Sequence, residues 1–175
     1  MWPHPGDGPG QWNSTEVVVS TPKKNYTAYD FDEMLTDMGC GKGPKELYDL
    51  EKADLLGKFP APLVDTYVFY GYGLPTQAGF GFQRELEPET DGEAVCPPNN
   101  GKAFVREWDN GDVTAPLRSC RRADAWEAEH KKAGKVLHNV GYKGMSHGCA
   151  CKTKQCTADY TCILNKLAGK PHAGC

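Results

Sequence analysis

Short β-branched runs alternate along the chain with stretches of helical period. Glu16-Val17-Val18-Val19-Ser20, stopped by Thr21-Pro22, predicts a buried strand of the kind found in parallel sheets. Tyr29 to Met38 predicts a helix: Phe31, Leu35 and Met38 share one face, and Asp30, Asp32 and Glu33 load the first turn, where the dipole favours anions. Gly39 follows as its cap. Pro44 to Leu56 predicts a second helix ending at Gly57, with Pro60 and Pro62 stiffening the connection to a strand at Thr66 to Tyr70. That strand runs into Tyr70-Gly71-Tyr72-Gly73-Leu74-Pro75-Thr76, read as a turn of the kind that carries binding loops in open sheets. Further strands are expected at Ala103 to Glu107 and Val136 to Val140. Helices are expected at Ala115 to Lys132 and at Ala158 to Leu167, the last with Ile163, Leu164 and Leu167 on its apolar face.

This alternation predicts an α/β architecture, a mostly parallel sheet flanked by helices, over residues 12–169. Residues 1–11 are rich in Pro and Gly and predict a flexible lead-in. Residues 83–101 lack periodicity and predict a surface insertion, and residues 148–175 form a cysteine-rich tail that overlaps the last helix.

Composition narrows the class. The chain has 175 residues, 39% apolar and 25% charged, with a net charge of −3 and no basic run, so nucleic-acid binding has no electrostatic footprint. No apolar run approaches membrane-spanning length. Eight cysteines in so short a chain indicate an oxidising compartment. The sequons at Asn13 and Asn25 point the same way and are candidate glycosylation sites. A secreted or lysosomal-type location is therefore expected. Met1-Trp2-Pro3-His4-Pro5-Gly6 lacks the basic start and apolar core of an export signal, which suggests a fragment of a longer precursor.

Two loop residues carry candidate chemistry. Asp112 follows the third strand and His147 follows the fourth, the positions and chain order in which an α/β-hydrolase keeps its acid and its base. A serine hydroxyl is a poor nucleophile until an imidazole takes its proton, and a carboxylate orients that imidazole and stabilises its charged form. On spacing alone, a loop Asp such as Asp112 is more often a turn residue or the cap of the helix that follows.

The segment from Val17 through Ser20-Thr21-Pro22-Lys23-Lys24-Asn25-Tyr26-Thr27, with Tyr29-Asp30-Phe31 and Asp37-Met38-Gly39, resembles the lecithin:cholesterol acyltransferase and lysosomal (group XV) phospholipase A2 family, as does Phe59-Pro60-Ala61-Pro62 leading to Tyr70–Thr76. Gly111-Asp112-Val113-Thr114, with Ser119 and Cys120, resembles the family's Gly-Asp-Gly-Thr-Val segment, whose Asp is the triad acid. His147 and the helix ending Ile163-Leu164-Asn165-Lys166-Leu167 resemble its triad base and terminal helix. The resemblance implies the C-terminal portion of an α/β-hydrolase fold, completed by an upstream chain. It also implies a phospholipase A-type hydrolase or acyltransferase working through a serine acyl-enzyme, with no cofactor and no metal. The implied partners are an N-terminal fragment of the same precursor carrying the serine, and a phospholipid or lipid ester at a membrane or lipoprotein surface.

The departures also matter. Asp109 competes with Asp112 for the acid role. In the family's plasma acyltransferase a cysteine on the strand before the Tyr-Gly turn pairs with the counterpart of Cys120; Val68 stands there in this chain, so Cys120 is expected to pair elsewhere, with Cys96 nearest in sequence. Cys149, Cys151, Cys156 and Cys162 are the other disulfide candidates, since neither a CxxC nor a paired His supports zinc. Gly144-Met145-Ser146-His147-Gly148 has the form of a nucleophile elbow, with Asp159 and His172 behind it, but no strand follows to carry them. A non-catalytic secreted module on a decayed hydrolase scaffold is the competing reading, because the serine is absent from this chain.

Overall fold

The computed structural model describes residues 10–40, 42–51, 60–86, 103–149 and 152–170. Most of the lead-in and of the 83–101 segment, with Cys96, Cys151, His172 and the end of the second helix, lies outside the described residues.

The first half builds the core. Strand β1 (Val17–Ser20) pairs antiparallel with β2 (Asn25–Thr27) and parallel with β4 (Leu74–Phe82). Trp12, Val18, Val19, Tyr26, Ala28, Met34, Ala78 and Leu86 form the buried cluster between this sheet and helix α1 (Phe31–Asp37). The predicted α1 face is only partly right, because Met34 and Leu35 are the buried pair while Phe31 and Met38 pack at the margin. Asp30 stands at the N-cap position without a side-chain cap bond; its carboxylate turns back to accept from the amide and hydroxyl of Thr27. Gly39, at φ +69°, ends the helix as expected, with the Cys40 amide reaching back to the Leu35 carbonyl. Helix α2 (Lys42–Glu51) docks on α1 through an edge contact of Phe31 and Tyr48 with ring centroids 4.5 Å apart.

The second half contains two strand systems that share one corner. Strand β3 (Thr66–Tyr72) pairs in parallel with β6 (Leu137–Lys143) over seven matched positions. Gly73, at φ +88°, swings the chain from β3 into β4, and β4 then pairs antiparallel with β5 (Ala103–Gly111). The sheet order is β2-β1-β4-β5, with β3-β6 as a separate pair. The architecture is mixed α/β and compatible with the C-terminal part of an α/β-hydrolase, although the four-stranded sheet contains two antiparallel pairs where a mostly parallel sheet was expected.

Two strands escaped the sequence pattern. β2 is three residues long, and β4 mixes Pro, Gln and glycines with its apolar residues, so it carries little β-branched or alternating signal. The segment Tyr70–Thr76 is consequently strand, corner and strand, not an open loop. Gly71 stays in the strand for a packing reason: a Cβ there would lie 1.9 Å from the Met145 carbonyl oxygen. Gly71→Ala must therefore push β3 away from the loop that follows β6. We expect a destabilisation of about 1–3 kcal/mol in thermal or denaturant unfolding, the range for forcing extra atoms into a packed site.

The helix expected at Ala115 to Lys132 is three pieces: α3 (Leu117–Cys120), a 3-10 turn (Arg121–Trp126) and α4 (Glu127–Lys132). Helix α5 (Lys154–Leu167) starts four residues earlier than expected because Thr153 caps it, its hydroxyl accepting the Cys156 amide at 3.3 Å. Its expected apolar face is not covered among the described residues, since Leu164 and Leu167 are exposed. No helix among the described residues is long and apolar enough to cross a membrane.

Candidate active site

Asp112 and His147 meet at the Gly73 corner. β5 ends with Gly111 opposite Leu74, and β6 ends with Lys143 opposite Tyr72, so the residues that leave both strands arrive on the two sides of one bend. The bend itself is tied down: the Gly73 amide donates to the Asn110 side chain at 2.6 Å, and the Gly144 amide donates to the Tyr72 carbonyl at 2.6 Å. Topology thus brings together two side chains 35 residues apart.

The contact is double. His147 Nδ1 lies 2.9 Å from Asp112 Oδ2, and the His147 amide donates to the Asp112 carbonyl at 2.9 Å. The other carboxylate oxygen, Oδ1, accepts the amides of Thr114 at 3.0 Å and Ala115 at 2.7 Å. The turn-residue and acid readings of Asp112 are therefore compatible, because each uses a different oxygen. Asp112 is 3% exposed, whereas the His147 side chain is 60% exposed. A buried carboxylate thus orients an accessible imidazole, and with Nδ1 held, Nε2 is the nitrogen that can address a reactant.

Electrostatics favours the ionised acid. Burial pushes the Asp112 carboxyl upward, but the Ala115 amide, the His147 ring and the Thr114 amide outweigh it and hold the group below the usual carboxylate range. A depressed folded value means that this stabilisation is fully present above the unfolded carboxylate value, about 3.9, and is lost as pH falls through the folded value. Asp112→Asn should therefore flatten the acid limb of the stability profile, narrowing its gap from the parent below about pH 4. Urea titrations across pH measure this directly.

The loop's backbone is held by a residue that the sequence pattern did not single out. Thr76, fully buried on β4, accepts the Val113 amide at 2.9 Å through its hydroxyl. Val113 sits at φ +81°, the one non-glycine residue in the left-handed region among the described residues. A polar residue in a small-residue strand was the available signal. Arg118 supplies a second clamp: it pairs with Glu16 and with Asp109 on β5 and lies 3.9 Å over the Trp12 ring. Asp109 is thus engaged by Arg118, while the carboxylate on His147 is that of Asp112.

Of the rival elbow's partners, His172 lies outside the described residues and Asp159 is engaged elsewhere. Asp159 accepts from the Tyr142 hydroxyl at 2.7 Å and from the Gln155 amide, anchoring α5 to β6. The cysteines divide. Cys40 and Cys162 are disulfide-bonded, and Cys40 had not been singled out as a candidate. Cys120 carries a free thiol, correcting the expectation that it pairs; Val68 on neighbouring β3 offers no sulfur. Burial and the Asp112 charge push that thiol upward, which makes it a poor nucleophile at neutral pH. Cys156 is a buried thiol against the Tyr142 hydroxyl. Cys96 and Cys151 lie outside the described residues, as does the Cys149 side chain. Among the described residues no group of three or more His, Cys, Asp or Glu could hold a metal ion.

A cleft of about 560 Å³ opens beside the pair, with Trp12, Val18, Val19, Phe80, Val113 and His147 on its walls. Its lining is mostly apolar and includes the His147 imidazole.

The mixed α/β fold that carries this loop pair is that of the C-terminal part of an α/β-hydrolase, with which the relatives agree. No family model matches the chain. Curated relatives do: it is 29% identical over 136 residues, 78% of its length, to phosphatidylcholine-sterol acyltransferase of Gerbilliscus gambianus and of Homo sapiens. It is 30% identical over 129 residues, 74% of its length, to the enzyme of Mus musculus. These matches support the phosphatidylcholine-sterol acyltransferase family for the chain. It spans 41% of the length of the first of these relatives and 26–27% of the other two.

Proposed function

We propose that this chain supplies the acid and the base of a lipid-ester hydrolase or acyltransferase that works through a serine acyl-enzyme. The observation that carries the reading is the buried Asp112 carboxylate holding an accessible His147 imidazole beside an apolar cleft. In this mechanism Nε2 of His147 takes the proton of a serine hydroxyl as the oxygen attacks the ester carbon, and Asp112 stabilises the imidazolium. His147 then returns the proton to the leaving alcohol. A water or a second alcohol, activated by the same nitrogen, resolves the acyl-enzyme.

The serine comes from an N-terminal fragment of the same precursor. Support for such a partner is the surface that β3 and β6 present: a two-stranded parallel pair is not stable alone, and Leu63, Val64 and Val136 beside it are exposed. The name shared by the relatives, phosphatidylcholine-sterol acyltransferase, supports phosphatidylcholine as acyl donor and a sterol as acceptor, met at a membrane or lipoprotein surface. A secreted or lysosomal-type setting fits the disulfides at Cys40 and Cys162. Asn25 lies exposed on β2, open to a glycan. At Asn13 the side-chain oxygen already accepts from the Thr15 amide and hydroxyl.

The test is reconstitution. The upstream segment carrying a Gly-x-Ser-x-Gly elbow is produced with and without this chain, and fatty-acid release from phosphatidylcholine vesicles is followed with and without added sterol. Release is expected only when both parts are present, with sterol diverting acyl groups into sterol ester. Equal release by the upstream segment alone overturns the reading.

A further inference from the structure

Val113 occupies a position that its chemistry disfavours. At φ +81° a β-branched residue crowds its own backbone, a conformation in which glycine is comfortable and valine is a genuine outlier. The segment it resembles has glycine there. The strain is not compensated by burial, because Val113 is 55% exposed. What holds the conformation is the Thr76 hydroxyl accepting its amide, together with the neighbouring Asp112 carboxylate taking the amides of Thr114 and Ala115. The outcome is an isopropyl group standing in the wall of the cleft that His147 also lines, one residue from the acid.

We propose that Val113 is a specificity-determining residue: its side chain narrows the cleft next to the imidazole and excludes acyl groups that are bulky close to the ester carbon. The occupant assigned to the cleft is the proximal part of the acyl chain, because Trp12, Val18, Val19 and Phe80 line it together with Val113 and the His147 imidazole. Placement beside His147 makes shape near the carbonyl, not total chain length, the property that is sensed. The proposal rests on the catalytic reading above, and the experiment separates the two.

Val113→Gly and Val113→Ala are made in the chain assembled with its upstream segment. Glycine removes both the bulk and the strain; alanine removes the bulk and keeps the left-handed strain. Three quantities are read: melting temperature, the ratio of kcat/KM for α-branched over linear nitrophenyl esters, and affinity for the fluorescent fatty acid cis-parinaric acid. The ratio should rise roughly tenfold in both variants, the scale of opening or filling a site by a methylene or so. Melting temperature should rise clearly in the glycine variant alone, and parinaric acid should bind more tightly to both. An unchanged ratio in both variants overturns the specificity role. A glycine variant that is no more stable than the parent overturns the strain. If no variant, nor the parent, hydrolyses any ester, the catalytic reading fails, and parinaric acid affinity still decides whether Val113 narrows the cleft: unchanged affinity overturns that too. Weakened association with the upstream segment at an unchanged ratio makes the cleft an interface and contradicts the proposal.

Discussion

His147→Ala, in the chain assembled with its upstream segment, is expected to lower kcat/KM for ester hydrolysis by roughly 10⁴-fold or more, leaving only the residual rate that binding and oxyanion stabilisation supply. The magnitude follows from what the imidazole does twice, taking the serine proton in acylation and the proton of water or alcohol in deacylation. Substrate binding should change little, because the loss concerns an interaction made in the transition state. The fold should survive: the His147 side chain is mostly exposed, and its amide contact to the Asp112 carbonyl does not depend on the ring. Circular dichroism and a melting curve near that of the parent, beside lost turnover, are the expected pair of results. A variant that retains a tenth or more of the activity removes His147 from the mechanism.

Asp112→Asn is expected to cost about as much activity, roughly 10⁴-fold, for a different reason. Asparagine keeps an oxygen that can go on accepting the Thr114 and Ala115 amides, so the turn is preserved, but it presents an amide toward Nδ1 and stabilises the wrong tautomer. Asp112→Ala provides the contrast. It strips both amides of their acceptor as well as losing the imidazole, and should destabilise the fold by about 1–3 kcal/mol. Activity lost with only the pH-dependent part of the stability missing in the asparagine variant, and a larger stability loss beside lost activity in the alanine variant, distinguishes an orienting acid from a merely structural cap. Kinetics and denaturant titrations on the two variants separate these outcomes.

The sequence pattern located the two loop residues because local signals surround them: a β-branched or aromatic run ahead of each, and glycines at 111, 144 and 148. It did not reveal how they meet. The junction depends on Gly73 turning β3 into β4 and on β4 pairing with β5, and the β4 run Leu-Pro-Thr-Gln-Ala-Gly-Phe-Gly-Phe shows no clear apolar alternation. Gly71 and Gly73 look alike in the sequence, yet one is excluded from carrying a side chain by the Met145 carbonyl and the other is needed for its positive φ. Thr76 and Arg118 acquire roles only through partners 37 and 102 residues away. In each case the deciding partner is far along the chain, where period and propensity have no reach.

Helix α5 shows the reverse. Its cap, Thr153, is a local signal that was present and overlooked, whereas the exposure of Leu164 and Leu167 could not be read from their spacing. The apolar stripe was identified correctly as a stripe.

The most direct measurement is the distance from His147 Nε2 to the oxygen of the elbow serine in a structure of this chain assembled with its upstream segment. The proposed mechanism places that oxygen within about 2.6–3.2 Å of Nε2, with Asp112 still on Nδ1. A serine oxygen well outside one bridging water of Nε2, in an assembly that releases fatty acid, would contradict it.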